Sequence, residues 1–135
     1  MTQDKLLEVE IVTPQKTVFS GKAQSVTLPG SLAPFQVLFN HAPIVSSLEL
    51  GQIKIVAEKG NELFYATSNG FTEVSKNVVS VLVETADTST DIDIEAVKSE
   101  LNELKTKLSE ANKDEKYKLQ QMLKLCENKL KIANK

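Results

Sequence analysis

The chain has 135 residues, enough for one packed domain with an appendage and too few for two full domains. A formal charge of -2 with 25% charged residues lacks the basic excess that phosphate-backbone binding needs, which argues against nucleic acid as a partner. All 16 basic residues are lysine, so no guanidinium fork can grip a phosphate or carboxylate, and the single cysteine, Cys126, excludes an internal disulfide and a multi-cysteine zinc site.

The first segment, MTQDKLLEVEIVTP, has no basic stretch followed by an apolar run, so the mature chain is expected to start at or near Met1 and to stay in the cytosol. Nowhere does the chain reach the roughly 20 consecutive apolar residues of a membrane span. Leu7, Val9 and Ile11 alternate with Glu8 and Glu10, the pattern of a half-buried strand. The same period, or a short β-branched run, recurs in TVFSG, AQSVTLPG, FQVLF, GQIKIVAEKGNELFYATSNG and FTEVSKNVVSVLVETA. AEKGNE predicts a hairpin turn, with Gly60 and Asn61 as the residues that tolerate positive φ, and VSKNV predicts a second. Many short strands separated by turns, with no helical pattern among them, point to an antiparallel sandwich or flattened barrel.

The texture changes near Ala86, and from Thr88 onward glycine and proline are absent. Apolar residues now fall at three-and-four spacing: Ile94, Val97, Leu101, Leu104, Leu108 and Ala111, then Leu119, Leu123, Cys126, Leu130 and Ala133. Two amphipathic helices joined by a short link predict an antiparallel hairpin. Thr90, Asp91 or Asp93 is available to cap the first helix, and Asn112 or Asp114 the second. One narrow apolar seam per helix is marginal support, so the pair must lean on the sandwich, on another protein, or on each in turn.

Catalytic chemistry is hard to find. Phosphate-binding glycine motifs, a His/Cys ligand cluster and a G-x-S-x-G elbow are all missing. His41 is the only histidine, and its neighbours Asn40, Ala42 and Pro43 offer neither a nucleophile nor an orienting acid; its other reading is a turn residue bonded to its own loop. Asp91, Asp93 and Glu95 suit the positive end of a helix better than a carboxylate site, and Cys126 reads as a small apolar packer. Phe35, Val37 and Phe39 alternate behind Pro34 and are expected to pack in the core, with docking on a partner as the other use of an exposed one.

Taken in order, IVTPQKTVFSGKAQSVTLPGS, VLFNHAPIVSSLELGQIKI, YATSNGFTEV and VSVLVETA resemble the N-terminal domain of the ε subunit family of F-type ATP synthases, and the hairpin after Ala86 resembles that family's C-terminal domain. The resemblance covers nearly the whole chain. It implies an antiparallel β-sandwich of about ten strands over residues 1–86, followed by a two-helix hairpin over 87–135 that is regulatory. It also implies a rotor subunit with no catalytic residues, cofactor or metal of its own, peripheral at the cytoplasmic face of the membrane and without inserting into it. The implied partners are the γ subunit and the c-ring, with the catalytic α and β subunits engaged when the hairpin extends.

By the same resemblance, Asn40, His41, Ala42 and Pro43 belong to a loop that faces the c-ring. Leu32, Ala33, Pro34, Gln36 and Phe39 depart from the family's usual glycine, acidic and proline residues there, which predicts a stiffer, more apolar loop. Ile92 and Asp93 match the start of a nucleotide motif, I/L-D-x-x-R-A, that some members carry, whereas Ala96 and Val97 stand where its Arg and Ala would be. The motif is degenerate, and nucleotide binding is not expected of it. The alternative reading is a free-standing ligand-binding sandwich bearing a helical dimerisation arm.

Overall fold

A single long strand organises the sheet. The computed structural model describes residues 5–133, so the expected chain start at Met1 lies outside the described residues. Strand β1 covers Leu7–Val12 and β2 covers Thr17–Leu28. They are followed by β3 (Phe35–Leu38), β4 (Ile44–Leu48), β5 (Gly51–Ala57), β6 (Glu62–Thr67), β7 (Gly70–Ser75), β8 (Val78–Val83) and β9 (Ala86–Thr88). The first half of β2 pairs with β1; after a register shift at Gln24, its second half pairs with β3 on one side and β5 on the other. A bulge bends a strand and raises its twist. Here it carries β2 from one layer to the next, so a continuous hydrogen-bonded path β4-β7-β8-β1-β2-β5-β6-β9 closes over its own core.

Nine strands are present among the described residues where about ten were expected, and the sheet is mixed rather than wholly antiparallel, because β1 and β8 run parallel. The parallel pair joins residues some seventy positions apart, with all the intervening hairpins as its crossover. The turn predictions fare unevenly. Lys76 and Asn77 take φ of 52° and 65°, the backbone of a two-residue hairpin whose twist matches its strands. At the other turn Gly60 alone supplies the positive φ, 95°; Asn61 instead contributes its carbonyl, which accepts from the Ala57 N–H at 2.8 Å.

Leu7, Val9 and Ile11 are buried as their alternation requires, and they meet Val26, Leu28, Val37, Ile53, Ile55, Tyr65, Val79 and Val81 in one apolar core. Phe35 packs at its margin, and Phe39 is half-buried. A 3-10 turn at Ser89–Asp91 leads into α1 (Ile94–Glu110), and α2 spans Lys113–Ala133. Of the candidate caps, Asp93 closes α1 by accepting from the Ala96 N–H at 3.2 Å, and Asn112 closes α2 by accepting from the Glu115 N–H at 3.0 Å. Thr90 and Asp114 are not the caps; Asp114 lies in the first turn of α2.

The two helices share the predicted seam. Val97, Leu104 and Cys126 are buried in it, with Leu101, Leu119, Leu123 and Leu130 alongside. A second face of α2 escaped the periodicity analysis. Ile132 is buried outside that seam, and so is Ala66, which points away from the sandwich core because its neighbours Tyr65 and Thr67 alternate with it on β6. α2 lies against β6, so these two residues mark the helix–sheet contact. Asn128 adds a hydrogen bond from Nδ2 to the Gly51 carbonyl at 2.9 Å, and Lys129 reaches Asp87 at 3.6 Å. The hairpin therefore leans on the β5-β6-β9 layer.

Candidate docking surfaces

The Asn40–Pro43 loop is braced from outside itself. Asn40 sits at φ 67°, and its N–H donates to Asn77 Oδ1 at 2.6 Å, while Asn77 Nδ2 donates back to Asn40 Oδ1 at 3.4 Å. This ties the loop to the β7–β8 turn, thirty-seven residues away. His41 donates its N–H to the Leu38 carbonyl at 3.0 Å, and its Nδ1 lies 2.7 Å from the Ala42 carbonyl oxygen. A carbonyl can only accept, so Nδ1 is the donor and Nε2 is the nitrogen left for a partner. Among the described residues the ring has no carboxylate or hydroxyl partner, which is the own-loop arrangement rather than that of a general base. Ala42 and Pro43 are exposed. A loop held this way loses little conformational entropy when something binds it.

The preceding loop is separate. Gly30 bridges Leu48 at the far end of β4, Ser31 donates its N–H to the Ser47 carbonyl at 3.1 Å, and their hydroxyls lie 2.6 Å apart. His41 stands before the near end of the same strand, so the two halves of the turn-rich segment are about 17 Å apart along β4. Leu32, Ala33 and Pro34 are all exposed, and a Cβ on Gly30 would stand 2.6 Å from the Ala33 carbonyl oxygen, so only glycine permits this tight course.

A second apolar exposure, apart from Leu32, lies on the strands. Phe71 on β7 and Leu82 on β8 are register partners on the outer face, 62% and 61% exposed, and Val45 on the neighbouring β4 is 73% exposed. This strip belongs to the layer that the hairpin does not cover. It continues into a hollow of about 730 Å³ at the end of β1, β4 and β8, lined by Val12, Pro14, Leu48 and Val83 and edged by Glu49 and Glu84. A Cβ on Gly70 would collide with the Leu82 carbonyl, so glycine keeps β7 close to β8 beneath the strip. Strip and brace were both missed from sequence. The available signal for the strip was the unbroken run Val81-Leu82-Val83, which an ordinary half-exposed strand does not have.

Ile92 and Asp93 have structural work. Ile92 packs on the helix seam, and Asp93 is the cap of α1. The shallow hollow beside them is lined by Asp87, Asp91, Asp93 and Glu100 with Lys129 as the one cation, and Ala96 opens onto it. Four carboxylates around one ammonium repel a polyphosphate. Cys126 is buried in the seam, where burial first and the Glu100 carboxylate second push its thiol up from its ordinary value; it is an inert packer. No group of carboxylate, histidine and cysteine side chains among the described residues is arranged to hold a metal.

Residues 6–89 match the family model described as the ATP synthase, Delta/Epsilon chain, beta-sandwich domain. The ATP synthase epsilon chain of Geobacter metallireducens is 37% identical over 117 residues, 85% of this chain and 83% of that one. Epsilon chain 2 of Syntrophotalea carbinolica is 33% identical over 132 residues, covering 96% and 94%, and the epsilon chain of Desulfosudis oleivorans is 46% identical over 91 residues, covering 66% and 67%. Among solved structures, a chain of the Euglena gracilis mitochondrial ATP synthase (OSCP/F1/c-ring) aligns with a TM-score of 0.82 at 20% identity, covering 97% of this chain and 82% of that one. A chain of the Tetrahymena thermophila mitochondrial ATP synthase (central stalk/c-ring) aligns at 0.60 and 16%, covering 94% and 96%. Those two likenesses concern the fold. On the match over 6–89 and the relatives that span nearly its full length, the chain belongs to the ATP synthase epsilon chain family.

Proposed function

We propose that this ε chain couples the c-ring to γ in the central stalk of a rotary ATP synthase driven by protons or sodium ions, and that its hairpin restrains ATP hydrolysis. As a family member it is a non-catalytic accessory subunit. The observation that carries the reading is the uncovered apolar strip Val45, Phe71 and Leu82 on the layer opposite the hairpin. An exposed apolar patch edged by polar residues marks a docking surface, and here we assign it to γ. The braced Asn40–Pro43 loop, at one end of the same layer, meets the c-ring, with His41 Nε2 left as an acceptor there.

Residues 1–86 do the docking and residues 87–135 the control, with β9 at the joint. Among the described residues the hairpin's hold on the sheet is one side-chain hydrogen bond, one partly exposed ion pair and an apolar contact, so release toward the α and β subunits requires little free energy. No helix among the described residues is long and apolar enough to cross a membrane, which suits a peripheral subunit at the cytoplasmic face. The degenerate Ile92-Asp93 motif has no part in this function.

Affinity capture with the full chain tests the reading. It should recover γ together with the catalytic subunits, and Leu82→Asp should lower γ recovery at least tenfold without unfolding the sandwich. A stable homodimer carrying a small ligand, with no γ recovered, would instead establish the free-standing binding protein.

A further inference from the structure

We infer that Gln52 and Asn128 form an opposed pair that sets how tightly the hairpin rests on the sheet: Asn128 latches α2, and Gln52 pushes against the docked pose. This rests on the reading of the hairpin as a releasable arm. Asn128 provides the only side-chain hydrogen bond from α2 to the sheet among the described residues, to a Gly51 carbonyl that also accepts from Thr67 Oγ1 at 3.4 Å. Gln52, the next residue along β5, is the register partner of Ala66 and shares its outward face, because Ile53 and Ile55 alternate into the core. Ala66 is buried there under α2.

On that covered face the Gln52 amide oxygen is buried and finds no hydrogen-bond partner among the described residues. A buried acceptor left unpaired loses its water without compensation, so it favours the state in which α2 has lifted and water returns. The packing nearby is also incomplete. A hollow of about 230 Å³ remains between Gln121 and Leu125 of α2 and the strand connections at Leu50, Ser68 and Thr85. The Asn128 bond to the Gly51 carbonyl thus rewards docking, while Gln52, the residue next to Gly51, penalises it. Removing either shifts the balance without touching the seam between the helices, where Cys126 sits.

Thiol labelling of the full isolated chain under native conditions tests the pair. Ala66→Cys places a thiol under α2, and Cys126 reports opening of the helix–helix seam in the same molecule. Adding Asn128→Ala should raise the labelling rate of the introduced thiol about five- to tenfold, while Cys126 labelling stays constant. Adding Gln52→Leu should lower the introduced thiol's rate by a similar factor. A rate within twofold of the parent in either variant, or both rates moving the same way, would overturn the inference. A rise in Cys126 labelling equal to that of the introduced thiol would also overturn it, because the hairpin would then be melting rather than lifting. Because only the isolated chain is used, failure of the pair is distinct from failure to bind γ.

Discussion

The sandwich and the hairpin are built on different terms. Among the described residues, fifteen buried apolar residues drawn from β1 to β8 interlock in the sandwich core, whereas three, Val97, Leu104 and Cys126, are buried in the helix seam. The sandwich has every internal strand paired on both sides. The hairpin has each helix satisfied within itself and a thin attachment to the rest. Stability is distributed accordingly: the sandwich should open only by global unfolding, and the hairpin by local steps of much lower free energy. A rigid body beside a loosely held arm is the build that the proposed coupling and restraint require.

The largest effect is expected in the core. Ile55→Ala, at a fully buried site, should lower global stability by about 2–5 kcal/mol, read by denaturant unfolding, and the hairpin should lose its support in the same transition. Leu104→Asp reverses the order of events. A carboxylate in the seam should abolish hydrogen-exchange protection over residues 94–133, yet shift the sandwich transition by less than about 1 kcal/mol, because the penalty cannot exceed the hairpin's own local stability. If the sandwich fell as far as in Ile55→Ala, the two regions would be one cooperative unit.

Much of this contrast was legible in the residues. The alternation Leu7-Val9-Ile11 and the caps Asp93 and Asn112 are local signals, each decided by neighbours within a turn or a strand pitch. What escaped was long-range. The parallel β1·β8 pair depends on contacts seventy residues apart, and the bulge at Gln24 on which layer β2 must enter. The side of α2 toward the sheet carries Gln121, Leu125, Asn128, Lys129 and Ile132, too few apolar residues and too many polar ones to register as a second stripe. Asn77 bracing Asn40 joins two turns that no periodicity connects. The exposed strip hid because Phe71 and Leu82 are ordinary strand residues until the register shows that neither points inward.

A smaller effect should separate the regions by pH. Burial and Glu100 raise the Cys126 thiol above its ordinary 9.0, and burial and Asp91 raise the Tyr65 phenol above its ordinary 10.0. A raised folded-state value means the stabilisation is complete below the unfolded value and is lost as pH climbs through the folded one. The hairpin should therefore loosen first on the alkaline side, above the thiol range, while the sandwich holds into the phenol range. Helicity followed against pH should show that early loss in the parent chain and not in Cys126→Ala.

Smallest of all is the expected response to nucleotide. With Ala96 opening onto Asp87, Asp91, Asp93 and Glu100, calorimetry with ATP and magnesium at physiological salt should show no saturable heat at micromolar nucleotide, and Ala96→Arg alone should not restore it. A one-to-one isotherm with the parent chain would mean that the hairpin pose is controlled by a ligand and not by its thin attachment alone.

The division of labour itself is tested most directly by ATP hydrolysis in a complex rebuilt with a chain ending at Ser89, just past β9. The account predicts that this sandwich still binds γ with unchanged affinity and that the complex hydrolyses ATP faster than one carrying the whole chain. Loss of γ binding, or hydrolysis no faster than with the hairpin present, would contradict it.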